Sequence, residues 1–289
     1  MPAHRQPPTR ARDARRPATV LALALVFALV LGGCGGKEEP GAPKGDDKPS
    51  ASEGPSKDGE PAADPGAGAP KVGACYAMTG AQSVASVGAG RAVGCKSQHT
   101  SVVAYVGFVP KPVTPRTPVV ERRVLGKKLC EPAYRRMAGG TLADRAMSIL
   151  TWTLFTPGQA DLVRGARWVR CDVVARSGKK LVTLPAGTPL LAKGIPDQLR
   201  ACQTDTGADV SCAQPHAFKV QAVFLAYAAK RANAPYPDEE TFTPTARARC
   251  KQLTGTDGGF WQPPSRVSWN AGDHYIRCLV REQLPSTTG

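Results

Sequence analysis

The sequence predicts an α+β protein built from two tandem, small, disulfide-stapled domains, each a small antiparallel sheet with one main helix. Three observations predict it. First, the stretches Cys75–Cys171 and Cys202–Cys278 carry the same marks. Cys95-Lys-Ser-Gln-His99 matches Cys212-Ala-Gln-Pro-His216, and Gly165-Ala-Arg-Trp-Val-Arg-Cys171 matches Gly272-Asp-His-Tyr-Ile-Arg-Cys278. Pro157 and Pro264 each stand fourteen residues before the last cysteine of their stretch. Second, each stretch holds four cysteines. Third, each alternates short branched and aromatic runs with one longer segment whose apolar residues recur at helical spacing.

The chain has 289 residues and a formal net charge of +15. Residues 1–33 begin with a basic stretch containing Arg5, Arg10, Arg12, Arg15 and Arg16, followed by an apolar run from Ala18 to Leu31. That run is too short to span a bilayer and reads as a signal-peptide core. It ends in Leu31-Gly32-Gly33-Cys34, which is similar to a bacterial lipobox. The similarity implies cleavage before Cys34 and two acyl chains on its sulfur, enough for a lasting anchor. Residues 34–70 hold the lipidated cysteine and a linker of Gly, Pro, Ala, Ser and charged residues. The linker has no aromatic or branched aliphatic residue, so it cannot bury a core of its own. As a coil it would span roughly 30–35 Å.

The first domain is expected over 71–195. Ser101–Val109 reads as a strand, and four prolines between Pro110 and Pro118 make a loop. Val119–Met137 reads as helical, with Cys130 facing the core, and Pro132 argues for a kink or two shorter helices. Ser148–Phe155 and Trp168–Val174 read as strands, and Lys180–Leu184 as an edge piece. The second domain is expected over 196–289. It repeats the order with a Cys202–Cys212 hairpin, a strand over Phe218–Tyr227, a helix over Asp238–Leu253 carrying Cys250, and a last strand over Tyr275–Arg281.

Eight cysteines outside a reducing compartment read as disulfides. Pairing within each domain and in the same pattern leaves three choices. The short Cys202–Cys212 interval favours Cys75–Cys95, Cys130–Cys171, Cys202–Cys212 and Cys250–Cys278. A metal-binding module is the rival use of Cys-x-x-x-His, but there is no Cys-x-x-Cys, and no metal or other cofactor is expected. No Ser-His-Asp order, phosphate loop or His-Glu-x-x-His helix is present.

The pattern of Cys-x-x-x-His, strand, helix cysteine and Trp-x-x-Gly-Asp before a final cysteine resembles the septum-formation domain of high-GC Gram-positive bacteria. The second copy carries it through Cys212–His216, Tyr236-Pro-Asp238, Cys250, Pro264, Trp269-Asn-Ala-Gly272-Asp273 and Cys278. The first copy keeps the cysteines, His99, Pro157 and Gly165, with Leu162 in place of the Trp and Ala166 in place of the Asp. The resemblance implies a cell-envelope protein linked to division. It implies no known reaction.

Single residues then divide by role. His99, His216, Asp273 and Trp269 are the candidates for a ligand site or for turn and core duties. Arg122, Arg123, Lys127, Lys128, Arg135 and Arg136 form a candidate polyanion-binding cluster. The expected protein is a non-enzymatic, lipid-anchored module on the extracytoplasmic face of the cell membrane. Its partners are the bilayer through Cys34 and an envelope protein or anionic wall polymer, with no nucleic acid. The alternative is an envelope hydrolase or redox enzyme working through His216 and Asp273 or through a cysteine.

Overall fold

Branched and aromatic runs interrupted by glycine and proline turns give two antiparallel sheets. The computed structural model describes residues 63–282 except 88–89, 227–234, 257–259 and 271. The expected signal segment, Cys34 and most of the expected linker lie outside the described residues.

The first sheet holds β1 (Cys75–Ala77), β2 (Arg91–Val93), β3 (Ser101–Phe108), β4 (Leu150–Phe155), β5 (Trp168–Ser177) and β6 (Lys180–Val182), in the order β2-β1-β3-β5-β4, with β6 also on β5. The second holds β7 (Ala201–Gln203), β8 (Asp209–Ser211), β9 (Phe218–Leu225), β10 (Phe260–Gln262) and β11 (Tyr275–Arg281), in the order β8-β7-β9-β11-β10. Strand for strand the two orders are the same. Even the irregularity repeats. Ala104 is skipped between the pairs Val103↔Asp172 and Tyr105↔Cys171, and Gln221 between Val220↔Leu279 and Ala222↔Cys278. A bulge that recurs at the same step before the same cysteine re-aims the strand identically in both halves.

Six helices are described: α1 (Gly80–Val84), α2 (Val119–Ala138), α3 (Leu142–Ala146), α4 (Gln159–Val163), α5 (Glu239–Thr254) and α6 (Arg266–Asn270). Each long helix lies on its sheet through a disulfide. Cys130 on α2 joins Cys171 on β5, and Cys250 on α5 joins Cys278 on β11. Cys75–Cys95 and Cys202–Cys212 close the two leading hairpins. These are the pairs that the sequence favours. Of the kink or two shorter helices expected at Pro132, the two shorter helices do not form: α2 runs through it as one helix. Proline removes one N–H and leaves the Lys128 carbonyl without its helical donor. Both residues are exposed, so that carbonyl can turn to water. α5 likewise runs through Pro244, starting from the Asp238 side chain, which accepts from Thr241 N at 2.8 Å. At the C-terminus of α2 the Arg145 guanidinium donates to the carbonyls of Gly139 and Gly140 at 2.8 and 2.7 Å.

The folded part begins earlier than the expected boundary at residue 70. Asp64 N donates to Arg164 O, Arg167 N donates to Pro65 O, and Trp168 Nε1 donates to Ala67 O at 2.9 Å. Ala67 is buried against Ala166 and Trp168. Small residues that cannot build a core can still cover one, because they let backbone approach a large ring closely.

Five buried apolar clusters are found among the described residues, and three of them organise the two halves. One lies between the first sheet and α2, around Val113, Cys130, Leu154, Val169 and Cys171. Another lies between the second sheet and α5, around Phe242, Ala246, Cys250, Trp269, Ile276 and Cys278. The largest takes residues from both halves: Val102, Ala138, Leu150, Val173, Leu191, Leu199, Val220 and Leu279. Residues 58–289 accordingly form one compact unit. The expected boundary at 195/196 falls in a connection whose Leu190, Leu191 and Leu199 are buried in this common core. Polar ties reinforce it. Ser177 Oγ donates to Gln214 Oε1 and accepts from Ser211 N, and Arg277 Nε donates to Ala146 O.

Candidate functional site

The two histidines occupy the same turn in both halves. His99 Nδ1 lies 2.9 Å from Ser97 O, and His216 Nδ1 lies 2.6 Å from Gln214 O. With the proton on Nδ1 each ring donates to a carbonyl two residues back and closes the turn beside its disulfide. His99 is buried. His216 also faces Glu282 Oε2 with Nε2 at 2.8 Å, where a proton on Nε2 donates to the carboxylate, and that hydrogen bond holds the Glu282 carboxyl below its ordinary range.

Asp273 is exposed and accepts from Tyr275 N at 3.2 Å, fixing the turn into β11. Gly272 before it has φ +93, and Gly165, at the equivalent step before β5, has φ +91. Glycine is required at both because other residues rarely adopt that region. At Gly165 an added Cβ would also sit 2.7 Å from the Ala63 Cβ. Trp269 is buried among Tyr236, Phe242 and His274 and serves the core.

His216 and Asp273 are not brought together. Asp273 stands just before β11, and the Glu282 that binds His216 stands just after it. The seven residues of β11 lie between them, a span on the order of 20–30 Å, so the pair expected for a hydrolase has no common site. Cys202 Sγ, Cys212 Sγ and a His216 ring nitrogen do lie within 4.8 Å of one another. The two sulfurs are joined in a disulfide, and the ring nitrogens face Gln214 and Glu282. A thiolate ligand set there requires reduction of that bridge first.

The expected basic cluster lies along α2, and its members differ. Arg123, Lys127, Lys128, Arg135 and Arg136 are exposed. Arg122 is half-buried, with a buried Nε that has no hydrogen-bond partner. Arg135 pairs with Glu131 one turn back. Arg135 and Arg136 sit in the last turn, where a cation complements the helix dipole. The exposed cations of the cluster that are neither ion-paired nor in the last turn are Arg123, Lys127 and Lys128. An added Cβ at Gly272 would lie 2.9 Å from Lys127 Nζ, so this face of α2 borders the Trp269–Asp273 turn of the second half. The charge is also lopsided. Residues 71–195 hold 19 Lys and Arg against 5 Asp and Glu, and residues 196–289 hold 10 against 9.

The sequence reading missed a buried charge pair. Arg170 and Asp172 are both buried on β5, with Arg170 Nε 2.8 Å from Asp172 Oδ1 and Nη2 donating to Oδ2 at 2.9 Å. The guanidinium carbon lies 4.3 Å from the centre of the Tyr76 ring and 4.6 Å from that of Phe155, and the Ser101 hydroxyl donates to Asp172. Burial pushes the carboxyl up, and Arg170 opposes that. The signal available was Arg-Cys-Asp within a strand, which puts both charges on one face.

A family model described as septum formation matches residues 72–278, a stretch that takes in both sheets and ends at the last cysteine. No curated protein and no solved structure matches the chain.

Proposed function

The chain belongs to the septum-formation family, and we propose that it is a membrane-anchored, extracytoplasmic module that binds an envelope component without catalysing a reaction. A septum-related role fits that family. Lipid attachment at Cys34 would hold it at the outer membrane face, and four disulfides suit an oxidising compartment. The observation that carries the binding reading is the exposed cation set Arg123, Lys127 and Lys128, held on a helix that a disulfide fixes to its sheet. A rigid helix presents charges with little further ordering cost on binding. Their partner is an acidic protein surface or an anionic wall polymer, and the attraction must weaken with salt.

The test images the tagged full chain in growing cells and measures its retention on isolated cell walls. The wild-type chain is expected at division sites. Its retention should fall steeply between 0.05 and 0.5 M salt, a range chosen to shorten the screening length from beyond about 10 Å to only a few. Arg123→Glu with Lys127→Glu and Lys128→Glu should cut retention at least about tenfold, the loss of roughly 1.4 kcal/mol, and flatten the salt dependence. An even distribution of the wild type removes the septal role. Equal retention of the variant removes the α2 face as the binding surface.

A further inference from the structure

We infer that the end of the first sheet where the chain enters the fold rests directly on the surface of an anionic bilayer. Three pieces of chain meet there. β3 ends at Phe108, whose ring lies against Gly66. The β3–α2 loop is tied by Val109 N to Arg167 O and turns through Thr114–Thr117 into the first turns of α2. α4 leads through Gly165 into β5. A shallow groove of about 370 Å³ runs between the loop and α4, and Ala63, the first described residue, stands on its rim.

Five large solvent-facing apolar side chains lie on these pieces, at the end of β3, in the first turns of α2 and on α4. Phe108, Val119, Val120, Val124 and Val163 are 63%, 60%, 71%, 65% and 78% exposed, five of twelve such large residues. Single exposed aliphatics need no explanation, but a group of them marks a surface that something covers. Beside them stand exposed Lys111, Arg116 and Arg123, against the exposed acids Asp64 and Glu121, of which Asp64 accepts from Gly66 N. Arg164 there is already paired with Asp161.

That combination selects the occupant. A soluble polyanion would use the cations and gain nothing from the valines. A bilayer of anionic lipid uses both, since apolar side chains enter the headgroup boundary while Lys and Arg meet the surface charge. Position agrees. Cys34 lies 29 residues before Ala63, a span of at most about 100 Å, so a bilayer holding that cysteine is within reach of this end. The inference rests on the anchored reading proposed above.

The test compares amide hydrogen exchange of the full chain in vesicles of phosphatidylcholine alone and in vesicles containing phosphatidylglycerol. Exchange over residues 109–125 should slow several-fold only with phosphatidylglycerol, while β9 and β11 stay unchanged. Val120→Asp with Val124→Asp and Arg123→Glu should abolish the difference, with unchanged β9 and β11 exchange reporting an intact fold. Val120→Ser with Val124→Ser, a gentler change, should reduce it. Equal exchange in the two vesicles overturns the inference, and so does slowing by dextran sulfate without lipid over residues 109–119, away from the α2 cations, which would assign the apolar end itself to a polyanion. Flotation with phosphatidylcholine vesicles reads the anchor separately, so failure of the anchored reading is distinguishable from failure of this contact.

Discussion

At Asp172 a carboxyl sits fully buried in the centre of a sheet, and everything around it serves that burial. Arg170 supplies the counter-charge, Ser101 a donor, and Tyr76 and Phe155 the faces between which the guanidinium lies. Its folded pKa is raised by burial. The native state therefore holds this proton more tightly than the unfolded chain, and this group's contribution to stability declines as pH rises from the ordinary 3.8 through the folded value. The Arg170 counter-charge and the hydrogen bonds from Ser101 and Arg170 oppose that burial penalty. Removing one partner leaves a buried charge unmatched, so Asp172→Ala should cost about 3–5 kcal/mol in urea unfolding. The second half carries Arg277 and Leu279 at the equivalent positions, with Arg277 turned to Ala146 O and Asp209. Replacing both charges together, Arg170→Met with Asp172→Leu, should recover most of the loss. A single-variant loss below about 1 kcal/mol would show that Arg170 finds water or another partner. Sequence alone showed two charges in an apolar strand. It could not show that β1 and β4 would bring two aromatic rings to either side of one of them.

Among the elements, the repeat itself was the most legible. Cysteine spacing, His99 and His216, and the glycines before the last strands fixed the correspondence of the two halves, because each mark answers a local demand that recurs. The long helices were legible through their periodicity. The unbroken course of α2 through Pro132 was not, since it depends on that residue facing water rather than the sheet. Nor were α4 and α6, whose five residues each are too few for a periodic signal. Glycine and alanine at 63–69 read as linker because composition reports what a segment can bury by itself, not what it can cover. The bridges permit a graded test. Cys130–Cys171 closes an interval of 41 residues and Cys202–Cys212 one of 10. If the bridges act by restraining the unfolded chain, removing the first as Cys130→Ser with Cys171→Ser should cost about 1 kcal/mol more than removing the second the same way. Equal losses in denaturant titrations would mean that local packing outweighs loop closure at these sites.

For the whole molecule, the decisive feature is the core shared by the two sheets. Repeated sequence suggested two beads, each stapled by its own disulfides. Instead, Val102 and Val173 from the first sheet and Val220 and Leu279 from the second meet around Leu191 and Leu199 of the connection. No local pattern announces this, because each of those residues would serve equally well inside its own half. The consequence is thermodynamic. If the halves were independent, each would melt at its own temperature, and a core substitution in one would leave the other untouched. With a common core, loss of either half exposes apolar surface of the other, and the two unfold as one. Leu199→Ala removes a fully buried side chain that belongs to neither sheet, and should cost about 2–5 kcal/mol. In calorimetry the disulfide-intact protein should show one transition, moved down by the substitution. Hydrogen exchange should rise together in β5 and β11, although the change lies in neither. Two separated transitions, or faster exchange confined to one sheet, would mean that the shared apolar contact is too weak to couple them. The two halves would then meet a partner as separate domains on one tether. A single transition means that the strongly basic first half and the nearly neutral second half are presented to any partner in one fixed arrangement.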